Sequence, residues 1–472
     1  MRGTGAESPR VCIIGAGPSG IVAAKALREK GIELVLYEQR SRVGGLWAVS
    51  DADAQASYPS LECNTSKRRT QFSDFPMPAA FPPFPHNTEM AAYFDAYVDH
   101  FGLRDSIVFN TSVQHAAPAQ GGGWDVALST GGTRHVDALV VANGHHRDPR
   151  WPDPPFPGRF SGRQVHAHDY TGPTPFRGGS VVVLGMGNSA MDIAVELSGV
   201  AGAVYLASRR GAHIVPKHVL GQPIDTFNTA LPVPWAVKRV LFSLIARATI
   251  GRPEDVGLPR PDHRLGESHP TISQRIIERV RAGAVIPKPN IAALEGDRVR
   301  FTDGSDVHAD AVIYCTGYNV SFPFLDDTVI SPVDNRVALF HQVFPPDVPD
   351  LAFVGLVQPF GALMPAAEEQ AAWIAEQLSG SYRLPSRGVM VEQIRRDREA
   401  RERQFVASPR HTMEIDFHAY LRAVRRERRG GATRPEAPRS QPPAGIRGDA
   451  LAVDLVDAAH PVGERVDQRG HR

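Results

Sequence analysis

Two glycine-rich turns, Gly15-Ala16-Gly17-Pro18-Ser19-Gly20 and Gly185-Met186-Gly187-Asn188-Ser189-Ala190, stand about 170 residues apart in a chain of 472. Each follows a β-branched run, Val11 to Ile14 or Val181 to Leu184, and opens an Ala-rich helical stretch. A strand, a tight turn and a helix in that order let backbone N–H groups and a helix N-terminus receive a pyrophosphate. One such turn is a weak signal. Two in one chain point to two dinucleotides meeting on one protein, and so to redox chemistry between them.

The residue ending the second strand of each unit separates the two ligands. Ile32 to Tyr37 reads as a strand that ends in Glu38, 23 positions after Gly15. A carboxylate there accepts hydrogen bonds from adenosine ribose hydroxyls, which suits FAD or NAD. The same step from Gly185 reaches Ser208, followed by Arg209 and Arg210, after the strand Ala203 to Ala207. An anion at that point would repel a 2′-phosphate, whereas a guanidinium grips it bidentately. The second site is therefore expected to take NADPH. Read alone, the two arginines are a solvated strand end; their register with Glu38 favours the phosphate.

The elements that must position these turns can be read coarsely. The length predicts two or three domains. The expected fold class is α/β, with two Rossmann-like dinucleotide-binding domains, the second inserted into the first. Residues 1–150 form the first part of the FAD domain and 151–178 a crossover linker. Residues 179–320 form the NADP domain with a variable insert, and 321–424 return to the FAD domain. The Arg-, Pro- and Gly-rich stretch 425–472 reads as a disordered tail. Within this frame a helix is expected over Thr88 to Phe101, with strands near Ser106 to His115 and Trp124 to Ser129. Asp137 to Ala142 reads as a buried strand returning to the first sheet. A second helix is expected over Ile272 to Ala282, a hairpin at Asp303-Gly304 and a strand at Ala311 to Tyr314. The Pro-punctuated segment from Pro216 to Pro270 yields no fold. The run Arg395 to Arg403, interleaved with Asp397, Glu399 and Glu402, reads as a solvated helix face.

Composition excludes several classes. A hydrophobic content of 42% and a charged content of 22% are those of an ordinary globular chain. A formal charge of +1 gives no reason to invoke nucleic acid. Cys12, Cys63 and Cys315 offer neither a disulfide framework nor a metal cluster, so a reducing cytosol fits best and no metal is expected. No C-x-x-C follows the first turn, which argues against a flavin disulfide reductase. Met1 to Arg10 lacks the apolar core of a signal peptide. The apolar stretch Val240 to Ile250 is short and broken by Arg247, so no membrane span is expected.

Between the two turns, Phe160-Ser161-Gly162-Arg163-Gln164-Val165-His166-Ala167-His168-Asp169-Tyr170 fits F-x-G-x-x-x-H-x-x-x-Y at every fixed position. This resembles the fingerprint of the flavin-containing monooxygenases. The closing tyrosine favours that branch over typical Baeyer–Villiger enzymes, whose version ends in tryptophan. Further segments are similar to the family: Gly44-Gly45-Leu46-Trp47, Leu61 to Lys67, Phe72 to Pro78, Thr316-Gly317-Tyr318, Gly355 to Pro359 with the helix containing Glu368, and Arg410-His411-Thr412. The likeness runs from about Val11 to Tyr420. It departs at Glu62 and Cys63, where an apolar and a Thr-like residue are usual, and at Asn143, where Thr often stands.

The resemblance implies FAD and NADPH as cofactors, with O2 and a small molecule as partners, and neither nucleic acid nor membrane. A homodimer is left open. The implied reaction oxygenates a soft nucleophilic nitrogen or sulfur through a C4a-(hydro)peroxyflavin. Oxygenation of a ketone and a non-oxygenating, redox-responsive NADPH oxidase are the alternatives. Asn64 is implied beside the flavin, where an amide donates without being a strong acid; read alone it could begin an Asx turn. Gly45, Leu46, Trp47, Thr65 and Gln358 are implied on the flavin side. Asn188, Ser189 and Ala190 fall on the nicotinamide nucleotide, and Tyr170 is included among the cofactor contacts. His166 reads as a structural link between the cofactor domains, and Asp192 as a support for the second turn. Lys67 and Asp74 each read as a member of a structural ion pair, for Lys67 at least as well as a functional residue.

Overall fold

Val11, Cys12 and Ile13 have no exposed surface, and Ile14 has almost none. A run buried on both faces belongs at the centre of a parallel sheet, and that is its place in the computed structural model, which describes residues 9–48, 57–226, 235–406 and 412–435. Strand β1 (Arg10–Ile14) leads through the first turn into α1 (Pro18–Glu29) and β2 (Glu33–Tyr37). Helix α2 (Asn87–His100) precedes β3 (Ile107–Val108), and β4 (Ala138–Val141) returns to pair with β1.

The expected strand over Ser106 to His115 is divided. Asn110 takes φ +52°, and its N–H donates to the Arg40 carbonyl at 3.0 Å. The chain therefore leaves the first sheet after Val108, and Val113–Pro118 joins Trp124–Leu128 and Thr133–Val136 in a separate antiparallel sheet.

Beyond the crossover the second unit repeats the first. It comprises β5 (Arg163–His166), β6 (Ser180–Leu184), α3 (Asn188–Leu197) and β7 (Ala203–Ala207). The stretch without a sequence reading contains a short hairpin, His218–Val219 against Gln222–Pro223, and the helix α4 (Trp235–Ile250). Val215, Phe242 and Leu265 form its own small apolar cluster. Helix α5 (Gln274–Arg281), β8 (Ile286–Lys288) and β9 (Ala311–Tyr314) complete the unit, with the Asp303-Gly304 turn between antiparallel strands as expected. Its five parallel strands run β5-β9-β6-β7-β8.

The chain then rejoins its beginning. Strand β10 (Leu351–Phe353) pairs with β4, so the first sheet reads β10-β4-β1-β2-β3, again all parallel. Helix α6 (Leu363–Leu378) packs on α1, where Ala23, Ala24, Ala366, Ala367 and Ala371 are buried and let the two backbones approach. Helix α7 (Arg387–Gln404) carries Arg395 outward in ion pairs with Glu392 and Glu399, but Asp397 turns inward to His341 at 3.4 Å, so the expected solvated face holds only in part.

Helix α8 (Phe417–Ala432) corrects the expected start of the disordered tail. Its Arg428 reaches Glu369 at 2.7 Å and Glu376 at 2.6 Å on α6, over the buried Leu421 and Val424. Charges that read as solvated in sequence here hold a helix on a core. Residues 436–472 lie outside the described residues. Among the described residues no helix is long and apolar enough to cross a membrane, and no group of His, Cys, Asp and Glu could hold a metal ion.

Candidate active site

Both glycine turns open on one cavity of about 1060 Å³. In the first, the Gly15 N–H donates to the Tyr37 carbonyl at 2.8 Å. Gly15 holds φ +101°, and a Cβ there would lie 2.8 Å from the Ala142 carbonyl oxygen. A Cβ on Gly20 would lie 1.8 Å from the Gly15 oxygen, so helix and strand meet at a distance no other residue permits. Gly17, Pro18 and Ser19 present the N-terminus of α1 to the cavity. Glu38 is buried, and its carboxylate accepts the Ala16 N–H at 2.7 Å and the Arg40 N–H at 2.9 Å. Arg40 Nη1 donates to the Gly45 carbonyl at 3.0 Å, fixing the Gly45-Leu46-Trp47 turn beside Gly17.

The second turn has the same construction. Gly185 donates to the Ala207 carbonyl at 2.9 Å, so Ser208 occupies the position of Glu38. Gly187, Asn188, Ser189 and Ala190 line the cavity. Asn188 Oδ1 accepts the Ile272 N–H at 2.8 Å, and the Thr271 hydroxyl donates to the Met186 carbonyl at 2.7 Å. The insert thus braces the turn from outside. Ser208 is buried, with its Oγ unpartnered among the described residues. Arg209 and Arg210 are exposed and, like Ser208, do not line the cavity; Arg210 faces Asp262 at 3.6 Å.

The segment holding Asn64 closes the space between the turns. Thr65 bonds Thr70 through the hydroxyls at 2.8 Å. The Ser66 N–H donates to Asp225 Oδ2 at 2.6 Å, and Glu62 pairs with Lys217. Both partners come from the insert. The Asn64 carboxamide lines the cavity and makes no hydrogen bond among the described residues. Gln358 lines it too, held by its backbone N–H on the Met413 carbonyl at 2.8 Å. Away from the turns the walls become apolar, with Val215, Phe242, Leu265 and Phe360.

Across residues 8–428 the chain matches the family model described as flavin-binding monooxygenase-like. It belongs to that family. It is 37% identical to the flavin-containing monooxygenase 5 of Mus musculus over 86% of this chain and 80% of that one. It is 34% identical to a dimethylaniline monooxygenase (N-oxide-forming) 2 of Rattus norvegicus, over 87% and 81%. The solved structure of S-allyl-L-cysteine S-oxygenase from Allium sativum superposes with a TM-score of 0.67 at 27% identity, covering 89% of this chain and 88% of that one.

This flavin monooxygenase uses FAD and NADPH, and both turns fit a dinucleotide. The first offers the buried Glu38 and the N-terminus of α1 at Gly17, Pro18 and Ser19; the second has no carboxylate at the matching position. Ala16, Gly20 and Gly185 do not line the cavity; they hold the turns that do.

Three expectations change in detail. Tyr170 does not reach the cavity. Its buried ring stacks on Phe176 at 5.8 Å and meets Tyr58 edge-on at 6.1 Å, and its hydroxyl donates to Glu196 at 2.8 Å. It is a packing residue between the units. Lys67 forms no ion pair among the described residues. It donates to the carbonyls of Pro78, Ala79 and Phe81, at 3.2, 2.8 and 2.6 Å, while Asp74 pairs with Lys25. Asp192 bonds Tyr58 rather than its own turn: its carboxylate accepts the Tyr58 hydroxyl at 2.9 Å.

His166, expected as a structural link, has no exposed surface and borders the cavity. Its Nδ1 accepts the His168 N–H at 3.1 Å, and burial pushes its pKa down to about 4, leaving a neutral ring. Of the family segment Arg410-His411-Thr412, the first two residues lie outside the described residues. Sequence reasoning missed Tyr58, Asp225 and the apolar wall from the insert, since no local pattern marks a cavity residue donated by a segment without periodicity.

Proposed function

We propose that this monooxygenase inserts one oxygen atom of O2 into a soft nucleophilic nitrogen or sulfur of a small molecule, using NADPH and reducing the other atom to water. One observation carries the reading: both turns open on a single cavity in which Asn64, an uncharged donor, has its amide uncommitted. Bound FAD supplies the oxygen-activating chemistry. The chain's part is to hold both dinucleotides, to offer Asn64 to an oxygen atom without acidifying it, and to surround the substrate end with apolar side chains that exclude water. In this reading FAD falls to Gly15, Gly17, Pro18, Ser19, Glu38, Gly45, Leu46, Trp47, Thr65 and Gln358. NADPH falls to Gly187, Asn188, Ser189, Ala190 and, at its 2′-phosphate, Ser208 and Arg209.

The N-oxide-forming and S-oxygenating names among the relatives support nitrogen or sulfur over a carbonyl. The free thiols Cys12, Cys63 and Cys315 suit a reducing cytosol. The test is a side-by-side assay of a tertiary amine, a thioether and a ketone with NADPH under air. N-oxide or sulfoxide formed in step with NADPH supports the reading. Lactone or ester alone assigns the ketone reaction, and H2O2 alone assigns an oxidase.

A further inference from the structure

Asp192 stands in the wall between two cavities. On one side its carboxylate accepts the Tyr58 hydroxyl at 2.9 Å, and Tyr58 lines the cofactor cavity. On the other side Asp192 itself lines a second cavity of about 420 Å³, together with Ser60, Glu196, Lys217 and Arg275. Ser189 lies near the same phenol and also lines the cofactor cavity, at the start of α3. The Asp192–Tyr58 hydrogen bond therefore crosses the wall from one cavity to the other.

We propose that Asp192 and Tyr58 carry into the cofactor cavity the proton that each turnover consumes. This rests on the reaction proposed above, which balances as NADPH, H+, O2 and a thioether giving NADP+, a sulfoxide and H2O. One proton must come from solvent, yet the site works by keeping bulk water away. A hydrogen-bonded pair set in the wall meets both demands. Protonated Asp192 gives its hydrogen to the phenol oxygen as the phenol's own hydrogen passes to the proton-consuming group in the cofactor cavity, which Tyr58 lines. Tyr58 stays neutral, and the Asp192 carboxylate is reprotonated from the second cavity.

The surroundings suit a carrier. Glu62 and Lys217 face Asp192 as a pair, Arg275 approaches from α5, Cys315 lies at the end of β9, and Glu196 one turn on is held by Tyr170. Burial outweighs the cations and raises Asp192 to about 6. It is then protonated in about a tenth of molecules at pH 7, enough to pass a proton repeatedly.

The test compares Asp192→Asn and Tyr58→Phe with the native holoenzyme. In both variants NADPH oxidation under air should fall about tenfold or more, while anaerobic flavin reduction by NADPH, which needs no solvent proton, falls less than about threefold. A small carboxylic acid should restore Asp192→Asn in proportion to its protonated form. In the protein freed of cofactors and labelled with 13C-aspartate, the native-minus-variant infrared spectrum should show a carboxylic acid band growing as pH falls through about 6.

Equal losses in both half-reactions with no rescue would mark a structural pair and overturn the proposal, as would two unaffected variants. Should Asp192→Asn not fold, the rate split in Tyr58→Phe decides alone. Should the native protein form only H2O2, the oxygenation reading fails but the relay is still tested, because that reaction consumes the same proton.

Discussion

Glu38 reaches back over the first glycine turn to Ala16, accepting its N–H at 2.7 Å, and the corresponding position in the second unit is Ser208. The two turns are otherwise built alike, so this one exchange separates the ligands. A buried carboxylate meets hydroxyl groups; a hydroxyl followed by the exposed Arg209 leaves room for a phosphate. Arg209→Ala should therefore lower kcat/KM for NADPH by about 10- to 100-fold, the loss of one charge-assisted hydrogen-bonded contact, with NADH little changed. Anaerobic flavin reduction with each nucleotide measures this. Equal losses for both would remove Arg209 from the 2′-phosphate.

Asn64 has an amide without a protein partner among the described residues, on a segment pinned from the insert by the Ser66–Asp225 and Glu62–Lys217 contacts. The pinning belongs to the backbone and to neighbouring side chains, so Asn64→Ala should keep both the segment and bound FAD in place. What it removes is a donor inside a partly desolvated site, worth about 10²-fold where charge develops. NADPH consumption should continue while product falls and H2O2 rises to nearly the NADPH consumed. Product formed one-for-one with NADPH in the variant would take Asn64 out of the reaction.

Gly355 holds φ +78°, and a Cβ there would stand 2.0 Å from Ser19 Oγ at the start of α1. Ser19 lines the cofactor cavity, so this glycine sets how closely the returning chain can pass the pyrophosphate turn. Gly355→Ala adds a left-handed backbone cost of about 1–2 kcal/mol to a displaced hydroxyl. The variant should fold, melt a few degrees lower and bind FAD about tenfold or more weakly. Adding Ser19→Gly clears the clash but not the backbone cost, so flavin titration of the double variant should show partial recovery. Unchanged FAD affinity in Gly355→Ala would mean that the turn tolerates the shift.

The strands were legible because their burial is written in β-branched runs, and the turns because Gly15, Gly20 and Gly185 cannot be replaced at their backbone distances. Helix α8 was misjudged for a physical reason: Arg428 and Glu427 read as solvent-seeking, yet one is neutralised by Glu369 and Glu376 and the other holds the Tyr382 hydroxyl. Composition does not record pairing between residues some fifty positions apart. The same holds for Lys67, whose partners were set by the path of Pro78 to Phe81, whereas Asp74 does form a structural ion pair, with Lys25 on α1. Tyr170 belonged to a motif but not to the cavity, because a motif records which residues recur together and not which surface each one meets.

His166 has no exposed surface, and burial holds its pKa near 4 against an ordinary 6.5. The unfolded chain binds a proton at this residue below about pH 6.5, whereas the folded chain does so only near pH 4. Its contribution is therefore complete above pH 6.5 and is lost as pH falls toward 4, by about 2–3 kcal/mol at pH 4.5. His166→Asn keeps a polar side chain that does not titrate. Denaturant unfolding at pH 7 and pH 4.5 should show the native protein losing more stability than the variant, by about 2 kcal/mol. Carboxylates and the other histidines titrate alike in both proteins, so the difference isolates this ring. An equal loss in both would mean that His166 can take a proton without leaving its place between Trp151 and Tyr318.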